Sequence, residues 1–136
     1  MEVVLDSNVL FRTLISQGGI LEVFFHSKLV LLAPEQLLVE FTKNKKMIEK
    51  KSLLAKKELD EIASVLLARV SFIRLEKYQR FLPQAKTLLK EHTKDEDFVA
   101  LALAKGCKIW TYEKLLFSIG LGISTQEISK ELNENF

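Results

Sequence analysis

The chain is poor in the residues that staple, hinge and span. Cys107 is its only cysteine, which excludes an internal disulfide and fits a reducing compartment. His26 and His92 are its only histidines and stand apart, so no zinc-ligand spacing exists. Each reads as a surface or helix-end residue. Two prolines and five glycines leave little room for linkers, and no repeat or low-complexity run is present. The 136 residues therefore read as a single domain over 1–136. No apolar run reaches the length of a membrane span. Glu2 and Asp6 stand where a signal peptide would carry its basic region, so a cytoplasmic protein is expected. A P-loop, a Gly-rich dinucleotide fingerprint and a nucleophile-elbow serine are also missing. The net charge of +2 is too small to argue for nucleic acid by itself. Its distribution says more.

What is present starts at the N-terminus. Val3-Val4-Leu5 is a short apolar run suited to a strand buried on both faces. Asp6 follows at once, and Val9, Leu10, Thr13 and Leu14 then carry helical spacing to about Ser16. In open α/β sheets ligands bind beyond the carboxyl ends of strands, which puts Asp6 where chemistry occurs. The same position also suits a helix cap, supplied by Asp6 or Ser7.

Further along, Gln17-Gly18-Gly19 breaks the chain. A helix with Ile20, Leu21, Phe24 and Phe25 on one face follows, then a second strand at Leu29–Ala33. Pro34 is expected to stop that strand and open a third helix, with Leu37, Leu38 and Phe41 toward a core. Glu40 lies on the flank of that helix, a place that suits a solvated residue as well as a ligand. From Lys43 to Lys57 the chain turns basic: Lys43, Lys45, Lys46, Lys50, Lys51, Lys56 and Lys57, with Glu49 the only acid. A solvated face and a grip on phosphates both fit such a run. Leu59 to Val70 reads as an amphipathic helix and Ser71–Leu75 as a third strand.

The second informative stretch begins at Thr93. Thr93 and Glu96 have capping-box spacing, which puts Asp95 in the first helical turn. Phe98 to Ala104 is apolar all round, so this helix is expected to be buried, with Gly106 closing it. Cys107–Thr111 reads as a fourth strand with Glu113 beyond its end, and Cys107 and Trp110 read as core. A helix near 114–119 and a short edge strand near Ile123, followed by a helix, complete the chain.

Alternation of strands with helices implies a mostly parallel sheet covered on both faces. Asp6, Asp95 and Glu113 then fall on one sheet edge, with Glu40 beside them. Carboxylates that converge cannot all stay ionised unless cations neutralise them. All-oxygen ligands suit Mg²⁺ or Mn²⁺. A carboxylate-held ion without a cofactor loop points to phosphodiester hydrolysis. The triplet Asp6-Ser7-Asn8 has no second Asp, which argues against aspartyl-phosphate chemistry.

These motifs in this order resemble a PIN-domain nuclease. The resemblance rests on Val3–Leu10, on Glu40, on Asp95 through Gly106 with its Ala100–Ala104 helix, and on Ile109-Trp110-Thr111-Tyr112-Glu113. It covers nearly the whole chain. It implies a three-layer α/β/α sandwich on four to five strands and Mg²⁺- or Mn²⁺-dependent cleavage of single-stranded RNA. It further implies an acidic catalytic and metal site of Asp6, Glu40, Asp95 and Glu113. Asn8 matches a polar position that steadies the first Asp, Thr111 ends the strand beside the site, and Asp97 is an alternative ligand. The sequence departs from the family at Glu113, where Asp is usual. Many relatives are VapC-type toxins, which implies an antitoxin partner, with a homodimer also open. Lys43, Lys45, Lys46 and Lys50 are the candidate RNA-binding residues. Phe11, Phe24 and Phe25 serve either the core or such a partner contact. A scaffold that binds RNA or protein without cutting is the alternative reading, favoured by Glu113.

Overall fold

The short apolar run at the N-terminus becomes the middle of the sheet. The computed structural model describes residues 1–134. Five strands, β1 (Glu2–Leu5), β2 (Val30–Pro34), β3 (Val70–Ile73), β4 (Lys108–Trp110) and β5 (Gly122–Ile123), pair in the order β3-β2-β1-β4-β5. Every pairing is parallel, and β1 is flanked by β2 and β4. Val3, Val4 and Leu5 are all buried, as a strand covered on both faces requires.

Helices α1 (Ser7–Ser16), α2 (Ile20–Phe24), α3 (Gln36–Lys51) and α4 (Lys56–Ala68) occupy the crossovers from β1 to β2 and from β2 to β3. Those crossovers step one way across the sheet. The β3-to-β4 crossover, with α5 (Leu82–Leu89) and α6 (Glu96–Lys105), steps back the other way. Right-handed connections therefore put the two groups on opposite faces. The result is an α/β/α sandwich. After β4 come α7 (Lys114–Ser118), β5 and α8 (Thr125–Glu134), and α8 packs on α2.

The apolar helix is the floor of the second layer: Phe98 to Ala102 are all buried, and α6 lies on β1, β2 and β4. Gly106 ends it at φ 65°, a left-handed turn that a side chain disfavours. Trp110 is fully buried, stacks at a tilt on Phe24 at 5.7 Å, and donates its indole N–H to Thr125 Oγ1 at 2.9 Å. A buried indole needs such an acceptor.

Several expectations are corrected. Pro34 does not open α3; it is the last residue of β2, in register with Ile73. A proline at a strand end loses little, because the ladder stops there. Val70 opens β3 instead of ending α4. Leu38 and Phe25 are exposed, at 39% and 42%, because Leu37 and Phe24 alone fill the core beside them. Thr93–Asp95 forms a 3-10 turn and makes no side-chain cap, so the capping box is not formed.

Candidate metal centre

Asp6 leaves the carboxyl end of β1 and sits at the start of α1, but its side chain makes no capping bond to that helix. It points instead across the sheet edge. Thr111, just past β4, donates its hydroxyl to Asp6 Oδ2 at 2.6 Å. Asp95 ends the 3-10 turn that leads into α6, and Glu113 lies in the β4–α7 loop. Parallel pairing of β1 with β4, and α6 crossing both, carry the three carboxylates to one place. Asp6, Asp95 and Glu113 each offer one oxygen, and these atoms lie within 4.8 Å of one another. Among the described residues this is the one group of metal-ligating side chains brought so close.

The electrostatics carry the mark of that crowding. Burial pushes Asp6 up to about 6, the negative charges of Glu113 and Glu40 add to the rise, and the Thr111 hydroxyl opposes it. Asp95 is also held well above the carboxylate range, first by burial, then by a hydrogen bond with Glu113 and the charges of Glu113 and Asp6. Lys94 pulls it back toward the charged form. Buried anions in such numbers call for a compensating cation. Three hard oxygens at this separation fit a divalent ion of the Mg²⁺ or Mn²⁺ type and offer nothing to a soft metal.

Glu40 lines the same cavity, of about 100 Å³, with Ser7, Asn44 and Met47. It stands outside the three-oxygen group and accepts a hydrogen bond from the Ser7 hydroxyl through Oε2. The Asn8 side chain turns to Glu113, its Nδ2 donating to Oε1 at 3.2 Å, while its backbone helps to hold Asp6 in the charged form. The side chain that steadies Asp6 is Thr111. Asp97 lies apart from the three carboxylates, where its Oδ2 accepts from the Tyr78 hydroxyl at 2.6 Å. Sequence reading missed Ser7 and Lys94 as neighbours of the site. Ser7 and Lys94 each sit next to a candidate acid in sequence, and only the tertiary arrangement shows what they face.

The four lysines considered for RNA lie on α3 but not on one face. At about 100° per residue, Lys43 and Lys50 fall within about 80° of the Glu40 direction. Lys46 is further round, and Lys45 turns to Asp60 on α4 in an exposed ion pair at 3.7 Å. Phe11 and Phe24 are buried in the core. Burial pushes the Cys107 thiol up to about 11, which keeps it protonated near neutral pH.

A larger groove, of about 840 Å³, opens at the opposite edge of the sheet around Met1–Val3 and Lys105–Lys108. Its acids Glu2, Glu127 and Glu131 alternate with Lys105, Lys108 and Lys130, so charge there is balanced rather than concentrated. No helix among the described residues is long and apolar enough to cross a membrane.

No curated protein matches the chain in a sequence search. The family profile described as PIN domain matches residues 4–133, a span that takes in the end of β1, the other four strands and all three converging carboxylates. PIN domains are generally nucleases that use divalent metals on nucleic-acid substrates. With that match and this fold, the chain belongs to the PIN-domain family.

Proposed function

We propose that this protein is a Mg²⁺- or Mn²⁺-dependent endoribonuclease that hydrolyses single-stranded RNA, and that it is the toxin of a toxin–antitoxin pair. One observation carries the nuclease reading: residues 6, 95 and 113 each bring an oxygen within 4.8 Å of the others. The toxin role rests on the likeness to VapC-type members. The exposed apolar pair Leu38 and Val39 at the start of α3 gives an antitoxin or a second copy a place to dock.

Asp6, Asp95 and Glu113 would hold the ion, with Glu40 completing the acidic wall. A divalent ion in that position supplies a water of lowered pKa and neutralises charge on the phosphate. The residues do the rest. Thr111 fixes Asp6, and Asn8 fixes Glu113, so two of the ligands need no reorganisation. Ser7 holds Oε2 of Glu40, which leaves Oε1 to accept a proton from water. The water oxygen bonds to phosphorus as one P–O ester bond breaks, and the departing oxygen takes its proton from solvent. Lys43 and Lys50 lie on the side of α3 nearest the pocket and would hold flanking phosphates.

The test is cleavage of a single-stranded RNA with Mn²⁺ by wild type and Asp6→Asn. The expected result is cleavage by the former and its loss in the latter. Asp6→Asn cutting at the wild-type rate would sink the reading. One feature favours the alternative, a binding module without activity: Glu113 reaches one methylene further than the usual Asp and bonds to Asn8. Calorimetry with Mn²⁺ separates the two, because only a nuclease needs the ion.

A further inference from the structure

Lys94 is the only cation lining the acidic cavity, against four carboxylates, those of Asp6, Glu40, Asp95 and Glu113. It comes from the 3-10 turn before α6, an element separate from the basic helix α3. A lysine among four acids is expected to fold onto one of them. Lys94 is exposed, and among the described residues its ammonium stands in no direct ion pair, although its charge acts on Asp95. It precedes buried Asp95 in the chain and lines the cavity from an exposed position, which suits a flexible stem carrying its charge to solvent.

We propose that Lys94 is the phosphate-binding residue of this pocket, its ammonium taking a non-bridging oxygen of the phosphodiester seated over the carboxylates. This rests on the nuclease reading. Even with one divalent ion bound, four ionised carboxylates keep a net charge of about −2, which repels an approaching RNA phosphate. The lysines of α3 meet the strand on one flank, along a helix whose pocket-facing side chains at this level are Glu40, Asn44 and Met47, none of them positive. The reacting phosphate therefore needs a positive contact at the cavity itself, and Lys94 is the side chain there that can give it. A point charge on a flexible stem suits this task, since it follows the phosphate without fixing bidentate geometry.

The test uses the full chain and the variants Lys94→Gln, Lys94→Arg and, as a control at the opposite edge of the sheet, Lys105→Gln. Binding of a fluorescent single-stranded RNA 12-mer with Mn²⁺ is read by stopped-flow anisotropy before turnover, at several salt concentrations. Mn²⁺ affinity is read by calorimetry. Lys94→Gln is expected to weaken RNA binding about tenfold and to lower the salt slope by about 0.7, the share of one phosphate contact on a single strand. Lys94→Arg keeps both, and Lys105→Gln changes neither. Mn²⁺ affinity changes little in Lys94→Gln, because loss of a repelling charge is offset by the stronger hold of Asp95 on its proton. A residue that merely braced Asp95 would instead lower Mn²⁺ affinity and leave the salt slope alone, and that result overturns the proposal. So does an unchanged RNA affinity, or wild type that binds no RNA. Cleavage that survives Asp6→Asn removes the nuclease reading, yet the salt slope still decides whether Lys94 meets a phosphate.

Discussion

Thr111 and Asp6, 105 positions apart in the chain, share one hydrogen bond whose direction is set. The Thr111 hydroxyl oxygen accepts the Glu113 backbone N–H at 3.0 Å, so its own proton is free to go to Asp6 Oδ2. One side chain thereby orients one acid and positions the loop of another.

Thr111→Val removes that hydroxyl at nearly constant shape. A bond to a charged acceptor contributes about 1.5–3 kcal/mol, so Mn²⁺ affinity is expected to fall at least tenfold, while Thr111→Ser retains most of it. Calorimetric titration of the three proteins checks this. Equal affinities in wild type and Thr111→Val would contradict it.

Stability of the metal-free protein is expected to fall as pH rises. The folded-state value of Asp6, about 6, stands above its ordinary 3.8. Between those values the folded chain keeps a proton that the unfolded chain has released, so rising pH favours unfolding across that window. Above it the cost is complete, at most about 3 kcal/mol for a shift of this size. Asp95, raised in the same sense, extends the window upward. Urea unfolding in EDTA between pH 4.5 and 8 measures the slope. Asp6→Asn should flatten the curve and be the more stable protein at pH 7.5. A wild-type curve that climbs with pH would refute the sign.

Added Mn²⁺ should act in the opposite direction. Binding needs Asp6 and Asp95 ionised, so the ion displaces protons below their folded-state values and less so above them. The rise in Tm on adding Mn²⁺ is expected to grow from pH 5.5 to 7.5. Thermal unfolding at three pH values, with and without the ion, reads this directly. A rise of constant size would mean the ion sits elsewhere.

Tyr78 is buried and donates to Asp97 at the start of α6, so burial and the acid together keep its hydroxyl protonated. Tyr78→Phe keeps the ring and leaves Asp97 without its donor. The expected loss is about 1–3 kcal/mol in chemical unfolding. A double-mutant cycle with Asp97→Ala should show the two effects to be strongly non-additive. Additive losses would mean that the bond contributes nothing.

Gly122 in β5 has no room for a side chain: a Cβ there would stand 2.8 Å from Phe117 Cγ and 3.0 Å from the Phe117 backbone nitrogen. Gly122→Ala should cost about 1–3 kcal/mol, since the ring can move but the backbone cannot. Thermal unfolding of Gly122→Ala alone and with Phe117→Ala checks it, and relief in the double variant should be only partial.

Much of this was legible in residue order. Val3-Val4-Leu5 followed by Asp6, and Trp110-Thr111 followed by Glu113, are strand ends with an acid attached, and a parallel sheet sends such ends to one side. The all-apolar Phe98–Ala102 run likewise announced a helix buried against that sheet. Local spacing could not rank neighbours of equal chemistry. Leu37 and Leu38, or Phe24 and Phe25, are both apolar, and only the angle of the helix on the sheet decides which one is buried. Thr93 and Glu96 had the spacing of a capping box, but the chain spends Thr93–Asp95 on a 3-10 turn. The partners of Asn8, Asp97 and Ser7 come from distant segments, and no local pattern encodes them.

The central place of β1 has a bearing on how the molecule assembles. Its two neighbours come from residues 30–34 and 108–110, so the middle of the sheet cannot close until almost all of the chain is available. Asp6 emerges early and waits about a hundred residues for Thr111 and Glu113. During synthesis the acidic group is therefore absent from every shorter intermediate, and it assembles in a single late step with completion of the fold.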